Sequence, residues 1–192
     1  MPDTGAPWNI PYVAGTDLVA DWPTDSQTLA EAIADGLDAA GGIKQVVTAN
    51  LSSTFSTSST SFTDVTGLSV SITPSSASSR ILVLADVKAN NESGGSTMTR
   101  LMRDSTAIAI GDSASSRIRS TGGVDGDNTS PGDVFFLGGI IVDSPATTSA
   151  TTYKVQIRAS ANNACVNRSR YDADNDTNPR THSSITVLEV TV

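Results

Sequence analysis

The sequence is short of most groups that carry out chemistry. Its 192 residues include one cysteine, Cys165, and one histidine, His182. Lysine occurs only at Lys44, Lys88 and Lys154, against nine arginines, and nine residues are aromatic. The apolar fraction is 38%. Each shortage excludes something. A single cysteine cannot form an intrachain disulfide, and Cys165 reads as an inert core residue in the absence of a basic, exposed setting. A net charge of −8 is the opposite of the basic face with which a protein displaces counterions from nucleic acid. No apolar run approaches the ~20 residues that span a bilayer, so no membrane insertion is expected. The opening MPDTGAPWNIPYV has no basic stretch leading into an apolar one. No secretory signal is expected there, and the chain reads as folding in a reducing cytoplasm.

What is abundant is small and hydroxylic: 27 Ser and 24 Thr, 51 of 192 residues. The chain divides into three parts. Residues 1–23 hold four of the eight prolines together with Trp8, Tyr12 and Trp22. Proline fixes φ and removes a donor, so an extended arm is expected rather than a helix. Such a segment is too short to bury its own aromatics. They pack on the chain's own β-domain, on a sister subunit or on another protein, and Trp and Tyr are favoured anchors at interfaces. Trp8, Tyr12 and Trp22 are therefore candidate partner-docking residues.

Residues 24–42 read as a short amphipathic helix. Thr24 and Gln27 have capping-box spacing, and Gly41-Gly42 signals a C-cap. Leu29, Ile33 and Leu37 recur at i, i+4 and i+8 among alanines. A helix this short is marginal alone, so it packs on the β-domain or on copies of itself.

Residues 43–192 read as β throughout. Strands are expected at 45–49, 68–73, 80–87, 97–103, 106–110, 134–142, 153–160 and 184–192, with weaker ones at 61–65, 115–120 and 164–170. Asp104-Ser105 has the look of a hairpin connection. Eight to ten short strands without intervening helices predict a mostly β fold: an antiparallel, jelly-roll-like β-sandwich behind the arm and one short α-helix.

Two features point to self-association. In VFFLGGIIV, Val134, Phe136, Ile140 and Val142 fall on one alternating face, and Phe135, Leu137 and Ile141 on the other. A strand apolar on both faces needs a second cover, from a neighbouring subunit or from the chain's own loops and helix. RILVLADV has the same pattern, and Gly138-Gly139 marks a bulge or a close backbone approach. A domain poor in large apolar groups also gains stability by oligomerising. Leu29, Ile33, Leu37, Phe135, Phe136 and Ile141 are the candidate subunit-interface residues.

The search for chemistry returns little. Any Ser-His-Asp or Cys-His arrangement would have to use His182, whose neighbours form no nucleophile elbow. No phosphate loop and no zinc spacing occurs. Asp172, Asp174, Asp176 and Asn178 alternate as calcium ligands do, but Thr177 and Ser183 stand where an EF-hand needs Gly and Glu, so the stretch reads as a solvated acidic loop. Residues 124–128 form a second, weaker acidic loop. The Asn-x-Ser/Thr triplets at Asn50 and Asn167 are what a hydroxyl-rich composition produces by chance. No catalytic residue, cofactor or metal is expected.

The segment PWNIPYVAGTDLVADWPTDSQTLAEAIADGLDAAGG resembles the N-terminal segment of tailed-bacteriophage tail and head appendage proteins. The stretches VVTANLSSTFSTSSTSFTDVTGLSVSITPSSASSRILVLADV, TTYKVQIRAS and SSITVLEV resemble the β-domain of the same class. The resemblance implies a homotrimeric fibre, spike or decoration in the virion. Residues 1–42 would bind other virion proteins, and residues 43–192 would be displayed toward the host cell surface. It carries no active-site residues. The expected function is a structural appendage, on the tail rather than the head, with a head fibre or capsid decoration as the alternative. A host-receptor or carbohydrate-binding module using loops 120–132 and 172–181 with Tyr171 would coexist with it, and the lone His182 and missing motifs speak against a small hydrolase.

Overall fold

The computed structural model describes residues 22–39, 42–126 and 132–190. Trp8 and Tyr12, and the side chains of Trp22 and Leu37, lie outside the described residues. The helix α1 (Trp22–Ala39) starts two residues before the expected boundary. Pro23 is tolerated there because the first helical turn has no use for its missing N–H. Gln27 Nε2 turns to Glu31 Oε1 (2.8 Å), one turn on, instead of back to Thr24. Among the described residues, no α1 side chain belongs to the hydrophobic core or packs against it, and Ile33 is 44% exposed.

The rest of the described chain is thirteen β segments: β1 (Ile43–Leu51), β2 (Phe55–Thr57), β3 (Thr63–Ile72), β4 (Arg80–Asp86), β5 (Lys88–Asn91), β6 (Ser96–Arg103), β7 (Thr106–Ile108), β8 (Gly122–Asp125), β9 (Phe135–Phe136), β10 (Gly139–Asp143), β11 (Thr151–Ala159), β12 (Ala164–Val166) and β13 (Ser183–Val190). Five pairs are halves of one strand. β1/β2, β4/β5, β7/β8, β9/β10 and β12/β13 each run end to end along the same neighbour. Merged in this way, the thirteen segments are eight strands. Numbered along the chain, they form sheet I in the order 1-8-3-6 and sheet II in the order 2-7-4-5. All pairings are antiparallel, and this is the jelly-roll order of two interlocked Greek keys.

Several expected strands changed shape for visible reasons. The two expected strands at 61–65 and 68–73 are one strand, β3, bulged where Gly67 takes φ 93°. Residues 115–120 form a loop, not a strand: Arg117 N–H closes a turn on Ala114 O (3.0 Å), and Ile118, the lone apolar residue there, is 47% exposed. The expected 164–170 strand stops at Val166 because Asn167 turns left-handed at φ 62°. The 134–142 strand breaks into β9 and β10. Gly138 sits at the break, where any side chain would strike the Ala85 carbonyl, and Leu137 N–H bonds Val87 O at 2.8 Å.

The core lies between the sheets. Leu68, Ile72, Ile81, Val83, Tyr153, Val155, Ile157, Ile185 and Val187 alternate inward and are buried. The hydroxyl of Tyr153 donates to Asp143 Oδ2 (2.7 Å), and Asp143 is held in turn by Arg103 Nη1 (2.8 Å). Burial first, and then Asp143, keep the proton on Tyr153.

Breaks in the strands of sheet I fall in line, and buried Asn167 sits on that line. Its Nδ2 donates to Leu51 O (2.7 Å) and Ser53 O (3.0 Å), between β1 and β2. Its N–H donates to Lys88 O (2.9 Å), and its Oδ1 accepts from Ser183 Oγ (2.6 Å) at the start of β13. Ser183 Oγ itself accepts from Lys88 N–H (2.9 Å). One amide therefore ties three adjacent strands together where each is interrupted.

Candidate interaction surfaces

The outward positions of the two sheets differ in kind. On sheet II they are polar and cross-linked. Lys154 Nζ pairs with Asp64 (2.7 Å), Gln156 Nε2 donates to the same carboxylate (2.6 Å), and Arg100 Nε donates to Gln156 Oε1 (2.8 Å). The Arg100 guanidinium also lies 4.1 Å from the centroid of the Phe62 ring. The hydrogen bond from Lys154 is the main reason the Asp64 carboxyl titrates below its usual range.

On sheet I part of the outward face is an apolar patch. Phe136, Ile140 and Val142 point out and are 57%, 71% and 55% exposed. Of the residues singled out from VFFLGGIIV, the structure divides the set by face. Phe135 and Ile141 turn inward and pack on the chain's own core, whereas Phe136 faces solvent. Ile140 and Val142, on the same outward face in the sequence, are the exposed neighbours. The pattern repeats one strand in: Ile81, Val83 and Ala85 are buried, while Leu82 and Leu84 line the outer side half-buried.

A third surface lies at the end of the sandwich away from α1. Here the two loops marked by sequence meet. Arg170 Nη1 donates to Gly126 O (3.0 Å), and a side chain at Gly132 would strike Thr177 O. Glu92 gathers them further: Arg168 Nη2 reaches its Oε1 (3.2 Å), Arg170 Nε its backbone O (3.1 Å), and Asn163 Nδ2 its Oε2. The Asn163 bond, then Arg168, hold the Glu92 carboxyl below its usual range. Tyr171 is 59% exposed with the Arg170 guanidinium 5.4 Å from its ring.

The alternating carboxylates belong to this end. Asp172 is engaged by Arg180, with Nε–Oδ1 at 2.7 Å and Nη2–Oδ2 at 2.9 Å. Asn175 Oδ1 accepts from Thr177 and Asn178, which closes the loop on itself. Asp172, Ala173, Asp174, Asn175, Asn178 and Arg180 line an open cleft of about 200 Å³, below the ~300 Å³ of ordinary ligand pockets. Among the described residues no three His, Cys, Asp or Glu groups converge as metal ligands would.

Two further reactive groups are Cys165 and His182. Cys165 is buried, donates weakly to Asn163 O (3.6 Å), and burial pushes its thiol up to about 11. His182 is exposed in the loop before β13. Sequence reasoning missed Glu189, which is fully buried at the end where α1 joins. Burial alone would raise its pKa. It is outweighed by donors from Gln45 Nε2 (2.6 Å), Ser75 N–H and Oγ (2.7 Å each) and Ser79 Oγ (2.7 Å), which bring it to about 2. The signal was a lone Glu in an otherwise apolar alternation opposite a serine-rich turn.

No protein-family model matches the chain, and a search of curated proteins gives no match. Among solved structures, the chain is similar to the structure of the infectious bursal disease virus Gt strain, at 14% identity and a TM-score of 0.40. That match covers 76% of this chain and 40% of the other. It is also similar to the infectious bursal disease virus VP2 subviral particle, at 14% identity and a TM-score of 0.39, over 78% of this chain and 41% of that one. The chain thus spans about two fifths of the length of these proteins. With TM-scores near 0.4, it is the strand order that carries the fold assignment.

Proposed function

We propose that this chain is a structural subunit of a virion, a trimeric fibre- or spike-type appendage of a tailed bacteriophage. Its N-terminal segment faces the particle and its loop end faces outward. The observation that carries this reading is the outer face of sheet I. In a chain where 51 of 192 residues are Ser or Thr, Phe136, Ile140 and Val142 stand together in solvent on one sheet edge. Contiguous exposed apolar groups of this kind mark contact with another molecule. The resemblance of residues 7–42 and of the β segments to phage appendage proteins supplies the context. Jelly rolls serve in viral capsids but also in lectins and cupins, so the fold by itself does not choose. A tail position is favoured, with a head fibre or capsid decoration as the alternative placement.

A receptor-binding role would coexist with this one. It is favoured by the meeting of the two loops beside exposed Tyr171, at the end opposite the attachment of α1. Of the two groups a catalytic role would draw on, Cys165 is buried with a raised pKa, and His182 lies in an exposed loop.

Light scattering of the purified full chain tests the assembly. Three times 19.7 kDa is expected; a mass of one chain at every concentration overturns it. In particles, Trp8→Ala combined with Trp22→Ala is expected to leave the β-domain folded and abolish incorporation. Normal incorporation of that variant removes the arm from the anchoring role.

A further inference from the structure

We infer that α1 of one copy docks on the outer face of sheet I of a second copy. This rests on the self-assembly part of the reading above and names the two surfaces that meet.

The receiving face is continuous across four strands. Strand register sets Val46 opposite Leu188, Leu188 opposite Leu82, and Leu82 opposite Val142. The next row sets Leu84 opposite Ile140. With Phe136, these side chains expose an apolar patch on the order of 500 Å², the size at which a surface patch marks an interface. The donated element is α1. Its stripe Leu29, Ile33 and Leu37 repeats every turn in the sequence, yet none of the α1 side chains among the described residues joins its own core. The stripe spans eight residues, about 12 Å of helix. That matches the width of four adjacent strands, about 14 Å. Helix and face together would bury about 1,000 Å², the threshold of a specific contact. In a closed ring every copy gives one helix and receives one.

Charge selects this pairing over the alternatives. Residues 1–42 contain seven carboxylates and no Lys or Arg. Four of the seven, Asp25, Glu31, Asp35 and Asp38, are in α1. The outer face of sheet I carries Lys44 and Arg80 beside an ion pair of Lys88 with Asp86, although the whole chain is at −8. A bundle of α1 copies would set acid against acid, and two sheet I faces would set cation against cation. Helix on sheet sets opposite charges together and apolar stripe on apolar row. The helix ends only three residues before β1, yet it leaves its own sheet I face open, so the occupant is a neighbour's helix.

The test uses two full-length variants, Ile33→Cys and Ile140→Cys, mixed in dilute solution, concentrated and oxidised, and a third chain that carries both substitutions, oxidised alone. Both positions are exposed, and native Cys165 is buried. The expected product is a disulfide joining one chain of each kind. Mainly Ile33→Cys self-pairs would mean an α1 bundle, and an intrachain disulfide in the doubly substituted chain would mean docking at home; either overturns the inference. A charge swap gives a second readout. Arg80→Glu is expected to weaken self-association on the order of tenfold, and Glu31→Lys in the same chain to restore it. An oligomer that persists without the mixed cross-link and ignores both charge changes overturns this docking while self-assembly stands. A single-chain mass throughout overturns both.

Discussion

The two sheets alternate equally well and share one hydroxyl-rich composition, yet their outer faces are opposites. Sheet II covers its outer side with Lys154, Asp64, Gln156 and Arg100, each satisfied by another. Sheet I shows solvent Phe136, Ile140 and Val142, with Leu82 and Leu84 behind them. An antiparallel sandwich needs only one apolar face per sheet to make its core. Sheet II meets that need and stops there. Sheet I goes beyond it, and the excess apolar surface lies where it contributes nothing to the isolated fold. The comparison separates two jobs that composition averages together: facing water and, as proposed above, facing another subunit.

The contrast can be broken hardest at the residue that holds sheet I together. Asn167→Ala would remove three hydrogen bonds from its buried side chain and strand the Leu51 and Ser53 carbonyls, at a cost of about 3 kcal/mol. Urea denaturation should show the midpoint falling with little change in slope. Glu189→Gln comes next, at about 2 kcal/mol, since the new amide would point a donor at Gln45 or at the Ser75 and Ser79 donors. The same residue makes stability depend on pH. Its folded pKa of about 2 is below the ~4.3 of a free Glu, so its contribution is complete above about pH 4.3. It is lost as pH falls toward about 2, by up to about 3 kcal/mol. Melting the wild type and Glu189→Gln at neutral pH and at acid pH should show the gap between them closing in acid.

Surface changes on the two sheets should then part company. Val142→Glu is expected to shift the melting transition by no more than about 0.5 kcal/mol equivalent. It should lower self-association at least tenfold, on the order of 1.4 kcal/mol, by sedimentation. Asp64→Asn on sheet II should cost under about 1 kcal/mol of stability and leave assembly unchanged, because an exposed ion pair contributes little. If Asp64→Asn dissociated the assembly as Val142→Glu does, the distinction between the faces would fail.

Much of this was legible in the sequence, and the rest was hidden for definable reasons. Period-two alternation located β11 and the second half of β3, a nearly continuous apolar run located β4, and β13 and the hairpin at Asp104-Ser105 were legible too. The division of VFFLGGIIV into two faces was readable as well. What alternation does not encode is which face is the core: Phe135 and Ile141 went in, Phe136 and Ile140 out, and that choice belongs to the partner strand β4. Strand halves were hard to foresee for a similar reason. β2, β8 and β12 are three or four residues long and keep their place through neighbours and Asn167 rather than through their own pattern. Glu189 was invisible because its donors come from Gln45, Ser75 and Ser79, more than a hundred residues away.

Side-chain footprinting by hydroxyl radicals tests the central claim most directly, comparing the full chain when concentrated and when dilute. Leu82, Leu84, Ile140, Val142 and Leu188 are expected to lose labelling on concentration while Phe62 and Met98 on sheet II keep theirs. Equal labelling of both faces at every concentration would contradict it.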